Sequence, residues 1–159
     1  MEFKEPITLE GKNKIDEELS QLIKVDREEI KVKISEAREL GDLKENAEYH
    51  SAKEKQSILE GRIAHLQGVI SNCNVIDTSK IPNQDKIVFG ATVVLHDEQK
   101  DAEVTYKIVG HEESDNRQGK ISYKSPLGKA LLGKEEGDTA VVQAPKGELE
   151  YEIIEVRYE

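Results

Sequence analysis

Tryptophan is absent from the 159 residues, and there is one cysteine, one methionine and only two phenylalanines. The lone cysteine, Cys73, excludes an internal disulfide framework and a cysteine-based zinc site, and it fits a reducing compartment. No run approaches 18 apolar residues, so neither a membrane span nor a membrane partner is expected. The start, Met1-Glu2-Phe3-Lys4-Glu5-Pro6, has no apolar leader segment, and a cytoplasmic location is expected. No Walker or dinucleotide glycine motif occurs. Ser125 has no neighbouring His or elbow pattern, which leaves a hydrolase triad unsupported. His50, His65, His96 and His111 show no ligand-like spacing apart from carboxylates that fall beside them, so no structural metal site is expected.

Charge is plentiful. Charged residues are 35% and apolar residues 36% of the chain, against roughly 25% and 45–50% in ordinary domains. That is too little apolar side chain for one large core. It suits an elongated element plus a small core. The net charge of −10 argues against non-specific nucleic-acid affinity, which needs clustered Lys and Arg. It leaves open a partner that itself handles nucleic acid.

The first half has helical periodicity. Thr8 can cap a helix with Glu10 in its first turn. Ile15, Leu19, Leu22, Ile23, Ile30, Ile34 and Ala37 recur at steps that place them on one face, although the stripe loses an apolar member around Asp26 and Arg27. Gly41 suits a helix C′ position. A second stripe follows at Ala52, Gln56, Leu59, Ile63, Leu66, Ile70 and Cys73, in alternating steps of four and three. Two such stretches joined by a few residues predict an antiparallel coiled-coil hairpin with arms of ~45 Å, from ~30 residues at 1.5 Å each.

From Asn74 the period changes. Residues 77–85 read as a linker with turn residues. Strand-type runs follow at 87–89, 91–95, 104–109, 139–142 and 149–156, with a short helix started by Ser125-Pro126. The expected fold class is α+β: a hairpin over residues 1–76, the linker, and a small, mostly antiparallel β domain with one short helix over residues 86–159.

Chemistry concentrates at the hairpin tip. Asp42 and Glu45 lie three apart at the expected start of the second helix, so that they would share a face. They read as a capping pair, with Asp42 at the N-cap and Glu45 at N3. They also read as hard-oxygen ligands for a divalent cation. The two roles are compatible. Basic residues near the tip, among them Arg38, Lys44 and Lys53, could contact phosphate, but interleaved acids equally make a solvated helix face. Cys73 reads as a small seam residue and Tyr49 as a packing residue.

The run Glu36-Ala37-Arg38-Glu39-Leu40-Gly41-Asp42-Leu43-Lys44-Glu45-Asn46-Ala47-Glu48-Tyr49-His50 resembles the tip signature of the bacterial transcript cleavage factors, the GreA/GreB family. The resemblance continues through Glu60-Gly61-Arg62-Ile63, Val88–Val93, Tyr106–Gly110, Ser125–Lys134 and Tyr151–Val156, nearly the whole chain. It implies an FKBP-like C-terminal domain that docks on bacterial RNA polymerase at the mouth of its secondary channel. The hairpin would enter that channel. Its tip carboxylates, carried over to Asp42 and Glu45, would help hold the polymerase's own Mg²⁺ and the attacking water at the nascent RNA 3′ end of a backtracked complex. The factor would thus activate a nuclease without being an enzyme alone, would bind Mg²⁺ only weakly when free, and would act as a monomer. Ser125, Pro126 and Leu127 match the docking edge. Arg38, Lys44 and Lys53 would be the RNA contacts. The broken basic patch fits the less basic members of the family.

Three other readings stay open. The hairpin could occlude the same channel as an inhibitor or regulator without stimulating cleavage. The β domain could be a prolyl isomerase, although 4% aromatics make a poor apolar pocket. The helices could form a purely structural, dimeric coiled coil.

Overall fold

The computed structural model describes residues 4–159. Two compact units are present: Lys12–Asn72, and the residues up to Gly11 together with Cys73–Glu159. Strand β1 (Glu5–Thr8) opens the chain and leads into helix α1 (Leu9–Gln21). As its sequence suggests, Thr8 caps this helix, its hydroxyl accepting from the Gly11 N–H at 3.0 Å.

In the helical unit, α1 passes through a π-helical turn, Leu22–Asp26, into α2 (Arg27–Glu39). Helix α3 (Ala47–Ser71) returns alongside it. Ile15, Ile30, Ile34 and Ala37 are buried on the outgoing arm, and Ala52, Ile63 and Leu66 on the return arm. Two ion pairs cross the seam. Arg27 grips Glu60 with Nε and a terminal nitrogen, each at 2.8 Å, and Arg62 grips Glu18 at 3.0 and 3.2 Å. These fix register more than stability, because both are substantially exposed.

The π turn explains the gap in the apolar stripe. Ile15 to Leu22 is a seven-residue step and so is Ile30 to Ala37, but Leu22 to Ile30 spans eight. A regular α-helix would rotate the second segment off the seam by one residue. One wider turn absorbs the surplus and keeps both segments facing the return arm.

The other unit holds a five-stranded sheet. Its strands are β3 (Thr92–Asp97), β4 (Ala102–Val109), β5 (Lys120–Ser122), β6 (Thr139–Ala144) and β7 (Gly147–Arg157), in the order β5-β4-β3-β7-β6. Only β4–β5 is parallel. A separate parallel pair joins β1 to β2 (Cys73–Ile76). Helix α4 (Pro126–Leu131) packs against β6. Ile87, Val93, Leu95, Ile108, Leu131, Ala140 and Ile153 form the core. Val94 and Leu95 of β3 face Glu155 and Ile153 of β7, so Ile154 is a bulge residue. The bulge moves the inward set from Leu149-Tyr151-Ile153 to Val156-Tyr158, which accounts for two adjacent isoleucines in an otherwise alternating strand.

Several expectations are corrected here. Cys73 is not on the helical seam; it opens β2 opposite Glu5. Residues 87–89 form no strand, only a bridge between Lys86 and Glu135, whereas β5 was too short to read in sequence. The stretch 77–85 contains a 3₁₀ turn, Thr78–Lys80. Its buried Thr78 donates to the Glu159 carbonyl at 2.9 Å and accepts from Lys107 Nζ at 3.2 Å.

Two carboxylates fasten β1 to the sheet unit. Glu113 accepts from the Thr8 N–H (3.0 Å), the Thr8 hydroxyl and the Gly110 N–H (2.8 Å). A Cβ on Gly110 would sit 2.7 Å from the Pro6 carbonyl oxygen, so glycine is required for β1 to approach. Glu5 accepts from Lys124 Nζ and the Tyr123 hydroxyl, and these bonds hold its carboxyl below the usual range. Burial, with the Glu5 charge beside it, pushes the Tyr123 hydroxyl up. A carboxylate whose folded pKa is depressed stabilises the fold above its unfolded value, 4.5 here, and loses that contribution as pH falls through the lowered value. Glu5→Gln is therefore expected to lower the midpoint of urea unfolding at pH 7. The gap to wild type should close as the pH is taken below 4.5.

Candidate functional site

The hairpin turns over at residues 40–46. Helix α2 ends at Glu39; the N–H of its C-cap Leu40 donates to the Ala37 carbonyl at 3.1 Å, the Gly41 N–H reaches the Arg38 carbonyl at 3.5 Å, and Gly41 takes φ +125°, which few side chains tolerate. Helix α3 does not start at Asp42. Its N-cap is Asn46, with φ −84° and ψ 94°, whose side-chain oxygen accepts from the Tyr49 N–H at 3.0 Å. The capping-pair reading of Asp42 and Glu45 is therefore corrected: both belong to the connection, and they do not share a helix face. Asp42 instead accepts from the Lys44 N–H at 2.9 Å, an Asx turn that shapes the loop locally. Asp42 and Glu45 are exposed.

Asn46 does more than cap. Its amide nitrogen donates to the Ala37 carbonyl in the last turn of α2, which also accepts from the Leu40 N–H. One side chain thus ties the last turn of the outgoing arm to the first turn of the return arm. The missed signal was visible: Asn is a strong N-cap residue, and Glu48 follows it in the first turn. Asn46→Ala is expected to cost the helical unit about 1–2 kcal/mol. Asn46→Asp, which caps but cannot donate to Ala37, should fall between. Thermal melts followed by far-ultraviolet circular dichroism would measure both.

Tyr49 packs beside Ile30, Ile34 and Ala52, as its reading as a packing residue requires. The Arg38 guanidinium sits 5.7 Å from its ring centroid, and His50 meets its edge with ring centres 5.6 Å apart. His50 Nε2 lies 3.2 Å from the Lys44 carbonyl oxygen. Arg38 is therefore held against the tip by an aromatic face, Lys44 lies in the connection, and Lys53 points along α3 to Gln56 at 3.2 Å. Behind the tip, a groove of about 360 Å³ runs between α2 and α3, with Lys33 and Lys55 beside Glu36 and Glu48.

The second candidate region lies in the other unit. Ser125 caps α4, accepting from the Gly128 N–H at 3.0 Å and donating to the Ser122 carbonyl at 2.7 Å. Pro126 occupies the first turn and is exposed, while Leu127 packs on the core. Gly128 is obligatory, since a Cβ there would lie 2.3 Å from the Ser122 carbonyl oxygen. The Ser-Pro-Leu-Gly run is thus explained by helix initiation, with one apolar and one exposed residue left at its surface. Among the described residues no helix is long and apolar enough to cross a membrane.

Comparison with known proteins covers both units. Residues 5–75 match the family described as "Transcription elongation factor, N-terminal", and residues 81–158 match "Transcription elongation factor, GreA/GreB, C-term". The chain is 56% identical over 155 residues to the transcription elongation factor GreA of Alkalilimnicola ehrlichii, covering 98% of each chain. It is 55% identical over 154 residues to that of Halorhodospira halophila, covering 97% of this chain and 98% of the relative. Among solved structures, the GreA factor homolog Gfh1 of Thermus thermophilus is 24% identical with 99% of both chains covered and a TM-score of 0.43. On two family matches that together span nearly every residue, the chain belongs to the GreA/GreB family of transcription elongation factors.

Proposed function

We propose that the chain stimulates the Mg²⁺-dependent cleavage of backtracked nascent RNA by bacterial RNA polymerase, so that arrested complexes resume elongation. The observation that carries this reading is the placement of Asp42 and Glu45. Both are exposed carboxylates on a connection fastened by Gly41 on one side and Asn46 on the other. In this reading the sheet unit docks on the polymerase through the surface at Ser125, Pro126 and Leu127, and the hairpin enters the secondary channel. Arg38, Lys44 and Lys53 contact the RNA in the same reading.

The donor set fits a shared Mg²⁺. Both side chains offer hard oxygens, and Asp42 keeps one carboxylate oxygen beyond its bond to Lys44. Two exposed carboxylates leave most of an octahedral shell to water and to other ligands, so the free protein binds Mg²⁺ weakly. When bound, the ion supplies charge stabilisation to the attacking and leaving oxygens of an in-line displacement. The chain's own work is to deliver two carboxylates at a fixed geometry, orient the water they accept a hydrogen bond from, and crowd the RNA end. It does not cut RNA alone.

The test is a cleavage assay on a backtracked bacterial elongation complex carrying labelled RNA, with and without the protein. Rapid shortening of the RNA supports the proposal. Binding without shortening would replace it with channel occlusion.

A further inference from the structure

The sheet unit gathers a second set of ligand-type side chains that the tip reading does not use. His96 lies on the central strand β3, and its cross-strand partners are Glu152 on β7 and Glu103 on β4. Side chains directly opposite in a ladder share a face with Cβ atoms roughly 4.5–5.5 Å apart. Ligand atoms of His96, Glu98 and Glu152 all lie within 4.8 Å of one another. The imidazole is oriented at both nitrogens. Nε2 is 2.8 Å from Asp101 Oδ1, and Nδ1 faces Glu98 Oε1 at 3.3 Å.

We propose that His96, Glu98 and Glu152 form a surface site for a divalent transition metal of the Zn²⁺ class. In a metal-ligating histidine one nitrogen binds the ion while the other donates to a carboxylate, which fixes the tautomer and makes the ring a better ligand. Asp101 supplies that carboxylate here, and it leaves Nδ1 directed at Glu98. One imidazole with two carboxylates selects a borderline ion over Mg²⁺ or Ca²⁺, which prefer oxygen alone. Three protein ligands leave a tetrahedral ion one open position. The set is invisible in the sequence because Glu152 is 56 residues from His96 in number and opposite it only in the ladder. The bound ion would tie the end of β3 to β7, and it would offset the negative charge that Glu98, Asp101 and Glu152 gather beside one ring.

The site does not depend on the tip. Chelator-stripped full-length protein is titrated with ZnCl₂ by calorimetry, beside His96→Gln, Glu152→Gln, Asp101→Asn and the tip variant Asp42→Asn/Glu45→Gln. Wild type and the tip variant are expected to take up one equivalent with the same affinity. His96→Gln and Glu152→Gln should each lose that uptake, with circular dichroism confirming that they are folded. Asp101→Asn should bind at least ~10-fold more weakly. Co²⁺ in place of Zn²⁺ should give a visible absorption band in wild type that His96→Gln lacks. Absent Zn²⁺ uptake, or uptake that survives His96→Gln and Glu152→Gln, would overturn the site.

Discussion

In the backtracked-complex assay, Asp42→Asn/Glu45→Gln is expected to shorten RNA at least ~10²-fold more slowly than wild type, while polymerase binding persists. The magnitude follows from the proposed role of the two carboxylates, which would help hold a catalytic cation. Metal stabilisation of phosphoryl oxygens contributes several kcal/mol, and each 1.36 kcal/mol is tenfold in rate. The amide substitutions are chosen for the loop. Asn at position 42 still accepts from the Lys44 N–H through its oxygen, so the Asx turn survives and only charge is lost. Position 45 lies outside both helices, so Gln there disturbs no cap. A rod that merely occludes the channel should tolerate both changes. Undiminished shortening by the double variant would remove Asp42 and Glu45 from the chemistry.

The largest stability effect is expected at Leu131. It is fully buried in the sheet-unit core and is the last residue of α4. Leu131→Ala should cost about 3–4 kcal/mol through lost transfer energy and a cavity. Four of the five tyrosines, Tyr106, Tyr123, Tyr151 and Tyr158, lie in this unit, and tryptophan is absent. Intrinsic tyrosine fluorescence in urea therefore reports its unfolding almost selectively. The midpoint should fall sharply for Leu131→Ala and scarcely move for Ile58→Ala, a residue 68% exposed on α3. In the proposed docking mode, through Ser125 at the N-cap of α4 and Pro126 and Leu127 in its first turn, polymerase binding should weaken in parallel near the lowered midpoint.

The helical arms were legible because their burial is periodic: Ile30, Ile34 and Ala37 on one arm and Ala52, Ile63 and Leu66 on the other are buried as the steps of three and four require. The family followed from the tip run and its continuation through both units. The candidate residues at the tip could be named from sequence as residue types, but their geometry could not. Asp42 and Asn46 are both strong N-cap residues four positions apart, and sequence alone cannot say which one the backbone uses. Tertiary contact decided it, since only Asn46 reaches back to Ala37. Strands β1, β2 and β5 were illegible because each has three or four residues, too few to show a period. The His96 cluster was illegible because ladder register, not spacing, assembles it.

The π turn at Leu22–Asp26 gives the outgoing arm one place where its length is negotiable. Losing a single codon there would turn the eight-residue step from Leu22 to Ile30 into a seven, and an ordinary α-helix could then carry the seam straight through. The same deletion between Ile30 and Ala37 would rotate everything beyond it by about 100° and unzip the arm from its partner. Insertions and deletions that keep the tip in working order should therefore collect at this one turn as relatives diverge. The rest of the arm would vary by substitution alone.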